Sequence, residues 1–243
     1  VHSDGSSDER IRLEPLDPSM ADSNASRTAS TIRSLERSAG TVPPSETETA
    51  TFGAGCFWGP DARLGAHEGV VRTRVGYAGG TTPEPSYYAL GDHTEVVQVE
   101  YDPDELSYED LLETYWSCHD WASTAPKRQY RSVVLAHDDD QYETALDRRT
   151  ALEDRAGRSA ATDAERLEGF TRAEEYHQKY ELRSTPVIGD ELEALYGDAF
   201  VDSTVVARLN GFAAGHGDPA QRDELLAALD LPPTVRTELR RRF

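Results

Sequence analysis

The 243-residue chain is poor in sulfur and in lysine: it holds two cysteines, one methionine and, among 25 basic residues, only Lys127 and Lys179 as lysines. Cys56 and Cys118 are too few for the disulfide framework of a small secreted domain, and neither falls in a C-x-x-C or Cys/His spacing that would hold zinc. A reducing, cytoplasmic location is expected. No apolar run approaches the roughly 18 residues of a membrane span, and the N-terminal residues lack the basic-then-apolar layout of a signal peptide, so a soluble chain is expected. No glycine-rich phosphate loop leads into a helix and no clustered ligand spacing is present, which argues against a nucleotide, flavin or metal cofactor.

What the chain has in excess is negative charge. Its 45 acidic residues give a formal net charge of -20, which argues against nucleic-acid and anionic-membrane partners, since both need positive surface. An acidic surface made with arginine rather than lysine suits a cytoplasm of very high salt, where a Debye length of about 3 Å at 1 M screens the self-repulsion. This halophilic character says where the protein works and not what it does.

The length suffices for one substantial domain with extensions, held by packing alone. Residues 1–47 are rich in Ser, Thr, Asp and Arg and are expected to be a largely disordered extension, apart from a short helix around residues 31–37. The lone Met20 opens "MADSNAS", so residues 1–19 read as an over-extended start that the folded part does not need. From about Thr49 the pattern tightens. "TATFGAG" reads as a strand, "WGPDARLGAHE" as a helix, "GVVRTRVGYAGG" as a strand with a glycine-rich turn, "SYYALGD" as a helical turn and "TEVVQVEYDP" as an alternating strand. "SYED" resembles a capping box ahead of the apolar ladder Leu111, Leu112, Tyr115 and Trp116, "RSVVLA" is a buried strand, and "DDDQYETALDRRTALEDRA" is an amphipathic helix with an acidic N-terminus. The alternation predicts a layered α/β or α+β sandwich over residues 48–182, followed by a C-terminal extension of short helices over 183–243. The pattern leaves open whether that extension packs on the domain or stands apart.

Cys56 lies in "GAGCFWG", just after a strand and Gly55 and at the first turn of a helix. Unpaired backbone N–H groups and the positive end of the helix dipole there favour the thiolate, which is the nucleophilic form. The plain alternative is a small buried hydrophobe beside ordinary core aromatics.

"GCFWG", followed in order by "VGYAGG", "HTEVVQVEYDP", "YWSCHD", "QYRSVV" and "AEEYHQKY", resembles the A-type peptide methionine sulfoxide reductases over roughly residues 49–182. The resemblance implies an α+β fold, a ferredoxin-like two-layer sandwich with a mixed sheet flanked by helices. It implies reduction of methionine S-sulfoxide, free or in proteins, without a cofactor and with reducing power from thiols such as thioredoxin or a low-molecular-weight thiol, in a monomer. On it, Cys56 attacks the sulfoxide sulfur and becomes a sulfenic acid. Phe57 and Trp58 wall the pocket for the ε-methyl group, Glu95 protonates the sulfoxide oxygen, and Tyr77 and Tyr130 donate hydrogen bonds to it. His177 is a candidate substrate contact, or else holds the site together with Gln178; His93 and His119 sit in family-like strings but a lone histidine is more often structural.

The chain also departs from the family. The loop "HDWASTAPKRQYRS" is shorter than usual, and Ala125 stands where an acidic residue is expected, leaving Asp120 or Glu95 to compensate. No cysteine follows Cys118, so either Cys118 resolves the sulfenic acid, which needs Cα atoms within about 7 Å, or an external thiol does. These departures keep two other readings in view, a relative that binds oxidised methionine without turnover and a cysteine hydrolase or acyl transferase.

Overall fold

The computed structural model describes residues 34–41, 43–229 and 231–242. Six strands, β1 (Glu48–Ala54), β2 (Val70–Ala78), β3 (Thr94–Tyr101), β4 (Ser132–Ala136), β5 (Asp163–Arg166) and β6 (Phe170–Arg172), form one mixed sheet in the order β5-β4-β1-β3-β2-β6. Only β4 and β5 run parallel; every other neighbouring pair is antiparallel. Helix α1 (Trp58–Gly65) connects β1 to β2, and α2 (Tyr108–Ser117) connects β3 to β4. Strands and helices therefore alternate as β-α-β-β-α-β, an α+β arrangement, before α3 (Asp139–Ala156) and the two short strands extend it.

Local chemistry explains the main elements. Period-two burial in β3 turns Val97 and Val99 toward Phe52, Leu111, Leu112 and Tyr115 on the helical side, while Val96 joins Ala78, Val133 and Leu135 on the other face, under Leu167 and Phe170. Ser107 caps α2 in a full capping box with Asp110, and Asp138 caps α3, which Gly157 ends in the left-handed conformation. β5 and β6 are too short and too charged to stand out in the sequence. β6 needs the bare backbone of Gly76, where a Cβ would lie 2.4 Å from the Phe170 ring.

Two expectations need correction. "SYYALGD" is not a helical turn: Ser86 and Ala89 form an isolated antiparallel bridge with Tyr87 and Tyr88 at its tip. Of residues 1–47, those up to 33 and residue 42 lie outside the described residues; residues 34–38 are helical where a short helix was expected, but Leu35 is buried in a second core and so is part of the folded unit. That core belongs to α4 (Tyr180–Arg183), α5 (Ile188–Tyr196), α6 (Thr204–Ala213), α7 (Pro219–Ala228) and α8 (Pro233–Arg242). The C-terminal segment thus packs on the main domain. Leu182 sits in the same core as Ile188 and Leu209, so the boundary expected after residue 182 cuts through one packed unit. α6 lies close against α1: a Cβ on Gly65 would come 2.9 Å from the Ala207 carbonyl oxygen, and one on Gly211 2.5 Å from the Ala66 Cβ.

A fully buried polar cluster locks these layers together. Lys179 Nζ donates to Asp61 Oδ1 (3.0 Å) and to Thr73 Oγ1 (2.6 Å), while Asn210 donates to Asp61 Oδ2 (3.1 Å) and accepts from the Leu182 N–H (3.0 Å). Asp61, Lys179 and Asn210 are each 0 % exposed. One cluster therefore joins α1, β2, α4 and α6, and every member is hydrogen-bonded, as a buried charge requires. No helix among the described residues is long and apolar enough to cross a membrane.

Removing one partner leaves the other charge buried and unpaired. Lys179→Met is expected to cost about 3–5 kcal/mol of stability, read as the shift in a chemical denaturation midpoint, and Asp61→Leu added to it should recover part of the loss. Unchanged stability of the single variant would show that the pair carries no weight.

Candidate active site

The end of β1, the end of β2 and the start of β3 lie side by side, because β1 and β2 both run antiparallel to β3. Three chemically distinct groups arrive at that edge. Gly55 turns the chain out of β1 with φ +82°, a conformation that L side chains rarely adopt, and delivers Cys56 to the surface ahead of α1. Tyr77 stands directly opposite Glu95 across the β2–β3 ladder.

Glu95 is 1 % exposed and lies beneath the turn that carries the thiol. Its carboxylate accepts the Phe57 N–H (3.2 Å) and the Gln129 side-chain amide (2.7 Å). Burial raises its pKa, and these two donors only partly oppose the rise. A buried carboxyl of raised pKa can hold a proton near neutrality. Gln129 and Tyr130 come from the 3₁₀ turn Arg128–Tyr130, which Arg128 pins to the Asp92 carbonyl (2.7 Å) and the Gly79 carbonyl (2.8 Å).

The Cys56 thiol departs from the sequence-based expectation. Its pKa is raised, first by the loss of water around the sulfur and then by the negative charges of Glu95 and Glu181, while the Trp58 N–H works in the opposite direction. The helix start supplies one stabilising donor, and burial of the sulfur, with smaller contributions from the two carboxylates, outweighs it. Cys118 has different company: its thiol donates to the Thr114 carbonyl (3.2 Å), and burial pushes its pKa up to about 11 against the influence of Arg63. None of the groups acting on one thiol acts on the other.

Aromatic rings enclose the space beside Cys56. Phe57 is 1 % exposed, Trp58 stacks on Tyr180 with centroids 3.5 Å apart, and the His177 ring lies 5.2 Å from Phe57 and 5.8 Å from Trp58. His177 is 3 % exposed, yet neither of its ring nitrogens has a hydrogen-bond partner among the described residues; Glu174 Oε2 stands 4.0 Å from Nε2. Burial lowers the His177 pKa against the pull of Glu174.

The two tyrosines differ. Tyr77 is buried and donates its hydroxyl to Glu174 Oε2 at 2.8 Å, so that proton is already committed. The Tyr130 hydroxyl has no hydrogen-bond partner among the described residues, and burial first, then the charges of Glu95, Tyr87 and Cys56, raise its pKa, so it remains a neutral donor. Gln178 holds the site together, bridging Val75 N–H (3.0 Å), the Val75 carbonyl (2.9 Å) and the Ala173 carbonyl (2.9 Å). His93 binds the Thr82 carbonyl, and His119 binds the Tyr115 carbonyl and Thr162, so both are structural. Asp120 is paired with Arg158 and Ser123 on the exposed surface and does not replace the acid absent at Ala125.

Gln129, Glu174 and Glu181 are site residues that sequence reasoning passed over. Gln129 and Glu174 lie inside the quoted strings "QYRSVV" and "AEEYHQKY", next to residues that were chosen. For Glu174, burial alone would raise the pKa, but hydrogen bonds from the Tyr87 N–H, its own N–H and Tyr77 hold it below the ordinary value.

Comparison with known proteins gives the same answer from a separate direction. The family model described as peptide methionine sulfoxide reductase matches residues 48–193. A Drosophila melanogaster peptide methionine sulfoxide reductase is 39% identical over 213 residues, covering 85% of this chain and 86% of that protein. That span is longer than residues 1–193 altogether, so it takes in part of the C-terminal layer. The Halobacterium salinarum MsrA is 46% identical over 146 residues, covering 55% of this chain and 82% of the relative. Among solved structures, reduced Mxr1 of Saccharomyces cerevisiae matches with a TM-score of 0.53 and 28% identity, covering 60% of this chain and 89% of its own. Methionine sulfoxide reductase A of Corynebacterium diphtheriae matches at 0.52 and 29%, covering 59% of this chain and 77% of its own. With a buried acid beside a surface thiol in an aromatic recess, and with this likeness over most of its length, the chain belongs to the A-type peptide methionine sulfoxide reductases, oxidoreductases that act on methionine S-sulfoxide.

Proposed function

We propose that Cys56 is the nucleophile and Glu95 the general acid of this reduction, and the observation that carries the assignment is the Phe57 N–H bond that seats Glu95 under the cysteine turn. The Cys56 sulfur attacks the sulfoxide sulfur while Glu95 protonates the sulfoxide oxygen. Transfer of that oxygen gives methionine and a Cys56 sulfenic acid: the substrate sulfur gains two electrons and the cysteine sulfur loses them. Both groups have raised pKa values and the Glu95 charge acts on Cys56, so the flanks of a pH profile are assigned to the pair. Phe57 and Trp58 receive the methyl group. Tyr130 donates to the developing hydroxyl, and Tyr77, already bound to Glu174, acts by positioning. The strand order β4-β1-β3-β2 with its two connecting helices supports the ferredoxin-like description of the fold.

An external thiol of the thioredoxin or low-molecular-weight class completes the cycle. It attacks the sulfenic sulfur, releases water and leaves a mixed disulfide that a further thiol cleaves. The separate surroundings of Cys56 and Cys118 support this route over an internal disulfide.

Single-turnover mixing of reduced protein with methionine S-sulfoxide is expected to yield one methionine per chain and a Cys56 sulfenic acid by mass spectrometry. No methionine from folded protein would overturn the reading in favour of a binding protein, and a thioester formed with an acyl donor would favour the hydrolase. Cys56→Ser is expected to abolish turnover and Glu95→Gln to lower the chemical step by roughly 10²-fold or more; Cys118→Ser should turn over as before with dithiothreitol. The acid requirement sets the sign of one pH effect: because Glu95 must be protonated, the rate should fall as pH rises through its raised pKa, and this flank should vanish in Glu95→Gln. Alkylation of Cys56 by iodoacetamide at neutral pH should speed up about two-fold in Glu181→Gln, which removes a negative charge from beside the thiolate, and the gain should shrink with added salt.

A further inference from the structure

Four large hydrophobic side chains stand exposed among the described residues, and three of them, Tyr87 (37 %), Tyr88 (91 %) and Tyr176 (53 %), gather at the rim of the recess. Tyr87 and Tyr88 meet edge to face at 5.3 Å, and Tyr87 and Tyr176 lie 4.8 Å and 4.2 Å from the His177 ring. The tip of the Ser86–Ala89 bridge holds Tyr88 out in solvent, a costly place for an aromatic ring that has nothing to bind.

A second, independent observation points to the same place. His177 is nine-tenths buried and more, and among the described residues neither of its nitrogens has a hydrogen-bond partner, Glu174 standing 4.0 Å from Nε2. A neutral imidazole offers one donor and one acceptor, which is the complement of a peptide unit with its own carbonyl and N–H. Leaving both unmet in a buried ring is unfavourable until a ligand supplies them.

The charges fix the kind of neighbour. Glu174 accepts the Tyr87 N–H at 3.0 Å and its pKa is held below the ordinary value, Glu181 acts on Cys56, and the cations of this segment are engaged elsewhere: Arg172 with Glu175 (2.6 Å), Lys179 with Asp61 (3.0 Å) and Arg183 with Glu193. Tyrosine faces attract cations and repel anions through the ring quadrupole.

Resting on the reductase reading above, we infer that Tyr88 and Tyr176 form, with His177, a flanking subsite that takes the main chain and a positively charged side chain next to an oxidised methionine in a polypeptide. Free methionine sulfoxide fills the recess by itself and leaves this rim empty. The subsite therefore acts on the choice among substrates and not on the oxygen transfer.

The test uses three acetylated, amidated pentapeptides with a central methionine S-sulfoxide flanked by Lys, Gly or Glu, together with free methionine S-sulfoxide, with dithiothreitol as reductant. For the intact protein kcat/KM is expected to rank Lys over Gly over Glu, with about a five-fold step from Gly to Lys. In the double variant Tyr88→Ser/Tyr176→Ser the ranking should collapse and all three peptides approach one another, while kcat/KM for the free amino acid stays unchanged. His177→Asn, which lies in the recess, should lower turnover of the peptides more than that of the free amino acid. Equal kcat/KM for the three peptides with the intact protein, or an equal loss for peptides and free sulfoxide in the double variant, would overturn the subsite. Free methionine sulfoxide left unreduced by the intact protein would instead overturn the reductase assignment of Cys56 and Glu95, so the two failures are distinct.

Discussion

Everything at the catalytic edge depends on burying one carboxyl group beneath the turn that presents the thiol. The burial of Glu95 raises its pKa; Tyr77 stands opposite it across the ladder and Gln129 binds its carboxylate. The Phe57 N–H makes the arrangement mutual. That donor belongs to the N-terminal turn of α1, where backbone N–H groups have no helical partners, so the bond costs the helix nothing and ties the acid to the residue that follows the thiol. Were the carboxyl group more exposed, its pKa would lie nearer the ordinary value and it would suit the proposed acid role less; were it buried with no donor, its folding cost would be larger.

The same logic scales outward. A helix that must hold its first turn against a buried acid needs a second anchor, and Asp61 provides it one turn further on through Lys179, Thr73 and Asn210. Lysine suits this place better than the arginine that the chain uses almost everywhere else. A compact ammonium fits between a carboxylate and a threonine, where a planar guanidinium with five donors would leave some of them unpaired. The anchor draws in the C-terminal layer through Asn210, which also caps the N–H of Leu182. α6 then approaches α1 over Gly65 and Gly211 at a distance that only a missing side chain allows. The helices after residue 183 are thus a wall of the catalytic unit.

The sequence was legible where the information is local. A strand, a glycine, a cysteine and a helix start are read in one line, and the alternation of Val96 to Val99 shows which face of β3 is core. The capping box at Ser107 is equally local. Pairings that depend on strand order were not legible: Glu174 meets Tyr77 across 97 residues and Lys179 meets Asp61 across 118, and nothing near either residue announces its partner. "SYYALGD" misled because two adjacent tyrosines satisfy a helical spacing as readily as the tip of a bridge. "DAER" gives β5 no alternation to read, since that strand is defined by its parallel partner β4 and not by burial. The low thiol pKa expected for Cys56 failed for a related reason: the helix start is visible in sequence, whereas the burial of the sulfur, and after it Glu95 and Glu181, come from tertiary packing.

That failure bears on how the enzyme works. A thiol ionised at all times beside a buried acid would also be alkylated, oxidised and trapped at all times, and no acid would be needed to hold its proton. With the Cys56 pKa raised, the free thiolate is scarce near neutrality. On the mechanism proposed above, a bound sulfoxide takes up a proton from Glu95 as Cys56 attacks, so reactivity is coupled to the presence of substrate. The surface position of Cys56 would then keep it open to a second thiol after oxidation, so that one exposed position would serve both halves of the proposed cycle while the acid stays buried.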